Sequence, residues 1–174
     1  MSSPPTALLI TGTVGAGKTT TAETLGDLLT ADRVPNAVID VDWLRRCWPS
    51  PTGDPFNRAV TLRNLRAVAA NFLDAGAHRL VLAGVIESRA ERAAYEDALG
   101  VPLTVCRLRL DLDTNHRRLT ARHAGTPGGL RWHLARSGEL AGILDRAAVE
   151  DVTVDSGTAP AGEVAATVRT AAGW

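Results

Sequence analysis

Short apolar runs alternate with stretches of helical periodicity along the whole chain. The apolar runs predict five strands, over residues 7–11, 37–40, 80–86, 103–110 and 152–154. After the first run, one helical face at positions i, i+3, i+4 and i+7 carries Ala22, Leu25, Gly26 and Leu29. Strands that alternate with helices in this way predict an α/β fold, with helices on both faces of a five-stranded parallel sheet.

Helix boundaries follow from capping residues and from proline and glycine. Further helices are predicted over residues 58–76, 89–99, 131–147 and 162–172. Another helix starts with Asp111 or Asp113 as its N-cap and ends before a hinge-like stretch over 126–129. The chain is long enough to bury one core, so we expect a single domain over 1–174 with a lid over about 113–136.

The composition is that of an ordinary globular protein, with 45% hydrophobic residues, 22% charged residues and a formal net charge of zero. Proteins that bind nucleic acids or membrane surfaces in general carry a basic excess, so neither partner is expected. Cys47 and Cys106 lack metal-ligand spacing, and residues 1–5 do not resemble the start of a signal peptide. We expect a cytoplasmic protein, either a monomer or a homodimer.

A phosphate-binding loop is the strongest motif of the chain. Residues 12–19 read Gly-Thr-Val-Gly-Ala-Gly-Lys-Thr, which fits the pattern of Gly, four residues, Gly, Lys and Ser or Thr. A strand precedes the loop and a helix follows it, so backbone N–H groups can converge on a polyphosphate. Of the 19 basic residues, 18 are Arg, and the one Lys occupies the lysine position of the motif. The residues expected to bind the nucleotide are Gly12, Val14, Gly15, Ala16, Gly17, Lys18, Thr19 and Thr20.

Four polar residues supply further parts that phosphoryl transfer needs. We expect Lys18 to reach the outer phosphates as a point charge, and the Thr19 hydroxyl to ligate Mg²⁺. Asp40 and Asp42 end the second strand, at the sheet edge where α/β proteins bind ligands. We expect Asp42 to lie at the acceptor hydroxyl, as a base or as a ligand of magnesium-bound water, and Asp40 to orient the substrate there. The alternative for either carboxylate is to cap the following helix.

An arginine-rich helix in the second half of the chain is expected to form the lid. Arg117, Arg118 and Arg122 precede the hinge-like stretch, and Arg118 and Arg122 share a helical face at i and i+4. A lid that carries these two catalytic arginines over the phosphates would exclude water. The alternative is a solvated helix face. Glu87, after the third strand, is either an acid for Mg²⁺ or a surface residue before a helix.

Three segments in the first half of the chain share the motifs of a known family. They are residues 14–19, Asp40-Val41-Asp42-Trp43-Leu44-Arg45, and Arg63-Asn64-Leu65-Arg66 ahead of Asp74-Ala75-Gly76. Together they resemble the adenylylsulphate kinases and their relatives among small P-loop kinases. The resemblance implies a three-layer α/β/α sandwich, ATP, Mg²⁺ and an acceptor site formed by Asp42, Arg45, Asn64 and Arg66. Residues 126–143 lack the Phe-Gly-Asp-Pro-Tyr-Glu-like stretch with which that family grips the adenine of its substrate.

These features predict an ATP-dependent phosphotransferase that moves the γ-phosphoryl group to a hydroxyl of a small-molecule acceptor. A nucleoside or nucleoside-monophosphate kinase is the alternative within the same fold. An ATP-binding resistance or regulatory protein without kinase activity is the alternative of another class. A GTP-dependent switch is not expected, because its Asn-Lys-x-Asp motif requires a lysine and the chain has none beyond Lys18.

Overall fold

The computed structural model describes residues 4–122 and 127–174, and the side chains of these except for 122 and 127–129. Its five strands are β1 (Thr6–Gly12), β2 (Asn36–Asp40), β3 (Arg79–Ala83), β4 (Leu103–Arg109) and β5 (Val152–Asp155). Neighbouring strands are parallel, and their order in the sheet is β2-β3-β1-β4-β5. The predicted α/β fold with a five-stranded parallel sheet is confirmed.

The helices within the described ranges are α1 (Lys18–Ala31), α2 (Val41–Leu44), α3 (Arg58–Asp74), α4 (Arg89–Leu99), α5 (Leu112–Arg122), α6 (Pro127–Ala147) and α7 (Ala161–Ala171). Helix α6 begins ahead of its predicted start at 131, because proline suits the first turn of a helix. The hinge predicted over 126–129 is therefore wrong for 127–129, and residue 126 lies outside the described residues. None of these helices is both long and apolar enough to cross a membrane.

Two hydrophobic clusters pack on opposite faces of the sheet. Strand β1 contributes to both, since its side chains alternate between the faces. Helices α3 and α4 cover one face, with side chains that include Leu65, Ala69, Tyr95 and Leu99. Helices α1 and α7 cover the other face, with side chains that include Leu25, Leu29, Val164 and Val168. The protein is therefore the three-layer α/β/α sandwich that the resemblance implied.

The carboxyl ends of β1, β2 and β3 meet at one edge of the sheet. Strand β1 is the central strand, between β3 and β4, and Asp40 at the end of β2 is level with Ala83 at the end of β3. Ala83 is in turn level with Ile10 of β1, so the loop after β1 and the acids after β2 share this edge. Parallel sheets bind ligands at such an edge, and the candidate site is built there.

Candidate active site

The loop between β1 and α1 lines a cleft of about 900 Å³ at the carboxyl edge of the sheet. Its backbone depends on glycine, because Gly15 (φ 85°) and Gly17 (φ 94°) lie in the left-handed region. A Cβ at Gly15 would also lie 2.3 Å from Oδ1 of Asn115. The loop runs into the N-terminus of α1, whose partial positive charge and free N–H groups favour an anion.

Lys18 lies against the loop that contains it. Its Nζ donates hydrogen bonds to the carbonyl oxygens of Gly12, at 3.0 Å, and Thr13, at 2.8 Å. The single lysine of the chain thus brings a positive charge to the same cleft that the loop lines. A bound polyphosphate would compete with these two carbonyls for the ammonium group.

Thr19 contacts Asp40 rather than Asp42. The Thr19 hydroxyl donates to Oδ2 of Asp40 at 3.1 Å, and Oδ1 of Asp40 accepts the N–H of Asp42 at 2.9 Å. Asp40 is therefore the N-cap of α2, as the alternative reading of the sequence allowed, and it also faces the loop.

The magnesium ion that the resemblance implies fits this pair of side chains. A hydroxyl and a carboxylate oxygen are the hard donors that Mg²⁺ prefers, and Thr19 and Asp40 bring them together. Within the described parts of the chain, no group of three or more His, Cys, Asp or Glu residues is arranged to hold a metal.

Asp42 projects towards solvent at the mouth of the cleft. Its side chain is 63% exposed, and Oδ1 lies 3.4 Å from Nε of Arg45, at ion-pair distance but without hydrogen-bond geometry. Asp40 and Asp42 both line the cleft, so the strand end brings both predicted acids to it. Beside them, the Arg46 guanidinium stacks 4.0 Å from the centre of the Trp43 ring.

The helices of the predicted lid also line the cleft. Arg118 and Leu119 contribute from α5, and Trp132, His133 and Leu140 from α6. The Arg118 guanidinium donates to the carbonyls of Ser156, at 3.0 Å, and Gly157, which ties α5 to the segment between β5 and α7. Arg118 therefore shares a cleft with the phosphate loop, whereas the side chain of Arg122 lies outside the described residues.

Two predicted substrate-binding residues of α3 have structural partners instead. Nδ2 of Asn64 donates to the carbonyl oxygen of Leu44 at 2.8 Å, which holds α2 against α3. Arg66 forms an ion pair of 2.6 Å with Asp97 of α4, on the outside of the protein. Arg66 joins two helices and lines neither cavity, and its expected role in acceptor binding stays a prediction.

Glu87 is paired with helix α6 and does not line the cleft. Its carboxylate accepts a hydrogen bond of 2.7 Å from Arg136 of α6, which also pairs with Glu139 at 2.9 Å. The hydrogen bond to Glu139 and the charge of Glu87 raise the pKa of Arg136. The pair joins the segment after β3 to α6, and the sequence contained no signal for it.

Asn115 of α5 joins the phosphate loop to α6, and the sequence analysis missed it. It is 1% exposed, and Nδ2 donates to the Val14 carbonyl at 3.0 Å and to the Ser137 hydroxyl of α6. The same amide lies 3.4 Å from the Thr13 hydroxyl. A lone asparagine inside a helix has no recognisable spacing, so only the packing of α5 against the loop identifies it.

Solved structures with this fold include several kinases at low sequence identity. A gluconokinase from Sinorhizobium meliloti 1021 superposes with a TM-score of 0.63 at 20% identity, over 97% of this chain and 95% of that chain. The APS kinase of Mycobacterium tuberculosis, in complex with AMPPNP and APS, superposes with a TM-score of 0.64 at 22% identity, over 99% of this chain and 100% of that chain. A tunicamycin resistance protein from Deinococcus radiodurans superposes with a TM-score of 0.66 at 22% identity, over 98% of this chain and 96% of that chain.

The three structures share the fold of this chain, but their names describe different activities. They therefore establish the architecture alone. No curated protein matches the sequence. The family model of adenylylsulphate kinase does match, over residues 4–144, a span that includes the phosphate loop, the acids after β2 and most of α6. On that match, the chain is a P-loop kinase that belongs to the adenylylsulphate kinase family.

Proposed function

We propose that the protein transfers the γ-phosphoryl group of ATP to a hydroxyl of a small-molecule acceptor. The observation that carries the proposal is the convergence of three parts on one cleft: the phosphate loop with Lys18, the Thr19–Asp40 pair, and the exposed carboxylate of Asp42. Because ATP is the donor, we assign the activity to the cytoplasm. The partner is a small molecule, and no nucleic acid or membrane is required.

The donor half of the reaction depends on residues Gly12 to Thr20. Backbone N–H groups of the loop bind the phosphate oxygens, and Lys18 exchanges its two carbonyl partners for the outer phosphates. Thr19 and Asp40 would hold Mg²⁺, and Asp42 lines the same cleft. The ion, when bound, neutralises charge on the phosphates, and the protein supplies its position.

The acceptor half depends on Asp42. Its carboxylate takes the proton of the acceptor hydroxyl as the oxygen attacks the γ-phosphorus, and Arg45, at 3.4 Å, helps to orient the carboxylate. Arg118 and Arg122 of α5 stabilise the transferring group while α5 and α6 cover it. Such a cover excludes water and thereby suppresses hydrolysis of ATP.

Measuring ATP turnover with and without a panel of hydroxylated metabolites tests this function. We expect acceptor-dependent ADP formation well above the basal hydrolysis rate. An alternative kinase of nucleosides or nucleoside monophosphates would be stimulated by those acceptors alone. Tight ATP binding with stimulation by no acceptor would contradict the kinase and favour an ATP-binding resistance or regulatory protein.

Asp42→Asn tests the base. The variant should leave ATP affinity nearly intact and lower turnover by about 10²-fold or more, since it removes a general base but no phosphate contact. Asp27→Asn is the matched control, because Asp27 is an exposed acid of α1 that lines neither cavity. Unchanged turnover in Asp42→Asn would remove Asp42 from the chemistry.

A further inference from the structure

A second, smaller cavity adjoins the cleft at the Asp42–Arg45 pair. Its volume is about 200 Å³, and it lies where α3 faces the start of α4. Arg45 lines this pocket and Asp42 lines the cleft, with 3.4 Å between Nε and the carboxylate oxygen. A molecule in the pocket would therefore present a hydroxyl to Asp42 without occupying the space of the nucleotide.

Most hydrogen-bond acceptors in the pocket wall are already used by the fold. The Ser88 hydroxyl oxygen accepts the N–H of Glu91 at 3.1 Å, and Oε2 of Glu91 accepts the N–H of Glu87 at 2.7 Å. The buried Thr61 hydroxyl donates to the carbonyl of Asn57 at 2.7 Å. These bonds hold the wall together and use one oxygen of the Glu91 carboxylate.

The charged side chains of the pocket are two arginines, Arg45 and Arg58, against one carboxylate, Glu91. Nε of Arg45 is buried and makes no hydrogen bond within the described residues. Arg58, in the first turn of α3, lines the same pocket and pairs with no carboxylate of the described residues. Burial raises the pKa of Tyr95 to about 12, so its hydroxyl stays protonated and can donate. Acceptor atoms of a ligand would satisfy the buried Nε of Arg45 and pair with the exposed Arg58.

The size of the pocket sets the size of the ligand. An engineered cavity of about 150 Å³ holds benzene, so 200 Å³ accommodates a body of about six carbons with a few substituents. Leu62, Ala90 and Ala94 give it an apolar wall on which a carbon skeleton can pack. A nucleotide, with its base, ribose and phosphate, is too large.

We propose that this pocket is the acceptor site and that it takes a small hydroxylated organic anion, such as a hydroxy acid of about six carbons, rather than a nucleotide. The proposal rests on the kinase function proposed above. The anionic group binds Arg58, and a hydroxyl lies between the pocket and Asp42. In the transfer, that hydroxyl gives its proton to Asp42, a bond forms from its oxygen to the γ-phosphorus, and the bond from the γ-phosphorus to the β–γ bridging oxygen breaks, releasing ADP.

The experiment compares acceptors that differ only in charge. ATP turnover is measured with gluconate and other hydroxy acids of about four to seven carbons, each beside the neutral polyol of the same length, and with adenosine, AMP and adenylylsulphate. We expect at least one hydroxy acid to exceed its polyol by about tenfold or more in kcat/KM, as a charge-assisted contact allows. Nucleosides and nucleotides should not stimulate turnover.

Arg58→Gln then assigns the preference to the pocket. In this variant we expect the ratio of kcat/KM for the hydroxy acid to kcat/KM for the polyol to fall towards one. The fall should come from a higher KM for the acid, while the KM of ATP stays unchanged. Arg63→Gln is the matched control, since Arg63 is an exposed arginine of the same helix that lines neither cavity. It should keep the wild-type ratio.

The outcomes separate this inference from the function on which it rests. Stimulation by neutral polyols or by nucleotides, or an acid preference that survives in Arg58→Gln, would overturn the acceptor class and leave the kinase intact. Stimulation by no acceptor of any class, with ATP still bound, would overturn the kinase function and the inference with it.

Discussion

Asp40 and Asp42 stand two residues apart at the end of one strand, yet they have different partners. Asp40 is held by two hydrogen bonds, one from the Thr19 hydroxyl and one from the N–H of Asp42, whereas Asp42 is largely exposed beside Arg45. A fixed carboxylate next to a hydroxyl suits an ion, and an accessible carboxylate suits a proton transfer. We therefore propose that the metal depends chiefly on Asp40 and the acceptor on Asp42.

Asp40→Asn tests this division between the two carboxylates. Asparagine is as good an N-cap as aspartate, so α2 should survive, while the negative charge beside Thr19 is lost. We expect the Mg²⁺ concentration for half-maximal ATP turnover to rise about tenfold or more. The measurement is a Mg²⁺ titration at saturating ATP.

Asp42→Asn serves as the comparison in the same titration. It should lower the maximum rate and leave the Mg²⁺ midpoint unchanged. If the Mg²⁺ midpoint rises in Asp42→Asn but not in Asp40→Asn, the metal depends on Asp42 and the proposed roles of the two carboxylates are reversed.

At the scale of elements, helices α5 and α6 and the phosphate loop meet at one buried amide. Because a peptide unit is planar and trans, its C=O and N–H point in opposite directions. Asn115 holds the carbonyl of Val14, so the N–H of Gly15 in the same unit is turned to the other side. By this means α5 helps to orient a donor of the loop, and the hydrogen bond to Ser137 extends the link to α6.

Asn115→Leu should weaken ATP binding. Leucine has a similar size but cannot donate, so the Val14 carbonyl loses its partner and the loop its fixed orientation. We expect the Kd of ATP, measured by calorimetry, to rise about tenfold. The fold should persist by circular dichroism.

Ser137→Ala is the matched control, because it removes the contact with α6 and keeps the amide on the loop. ATP affinity in this variant should stay within about twofold of wild type. Equal losses in both variants would mean that the amide acts only by packing the lid helices together.

The sequence predicted elements better than it predicted contacts between them. The strand and helix patterns of β1, α4 and α7 follow from local periodicity and caps, and the loop motif contains its own geometry. The partners of Arg66, Glu87 and Asn115 lie on elements that are distant in the sequence, so no local spacing of residues predicts these contacts. Of the smaller pocket the sequence predicted Arg45 alone, since α3 and α4 build the rest of it jointly.

At the scale of the whole molecule, the central position of β1 ties the site to global stability. The loop that binds phosphate continues a strand whose side chains Leu8, Leu9 and Ile10 are fully buried between both helical layers. A ligand that binds only the folded state stabilises it by mass action. Binding at the loop should therefore slow every process that requires the sheet to open.

Cys106 reports on such opening, and Cys47 provides an internal reference. Cys106 lies on β4 beside β1 and is 0% exposed, and burial raises the pKa of its thiol to about 12, so thiolate is scarce at pH 8. Cys47 is exposed. We expect a thiol reagent to label one cysteine of the native protein rapidly and the second only as the sheet opens.

Bound nucleotide should increase the difference between the labelling rates of the two cysteines. Magnesium and AMPPNP at about 100 times the Kd stabilise the folded state by about 2.7 kcal/mol, which slows labelling of Cys106 about 100-fold where reclosing outpaces labelling. Labelling of Cys47 should not change, and Cys47→Ser isolates the slow phase. The measurement is the time course of thiol labelling with and without nucleotide. Two results would contradict this expectation: rapid labelling of both thiols, or a slow phase that nucleotide leaves unchanged. Either result would mean that the reagent reaches Cys106 through a local opening of β4 that leaves the phosphate loop in place.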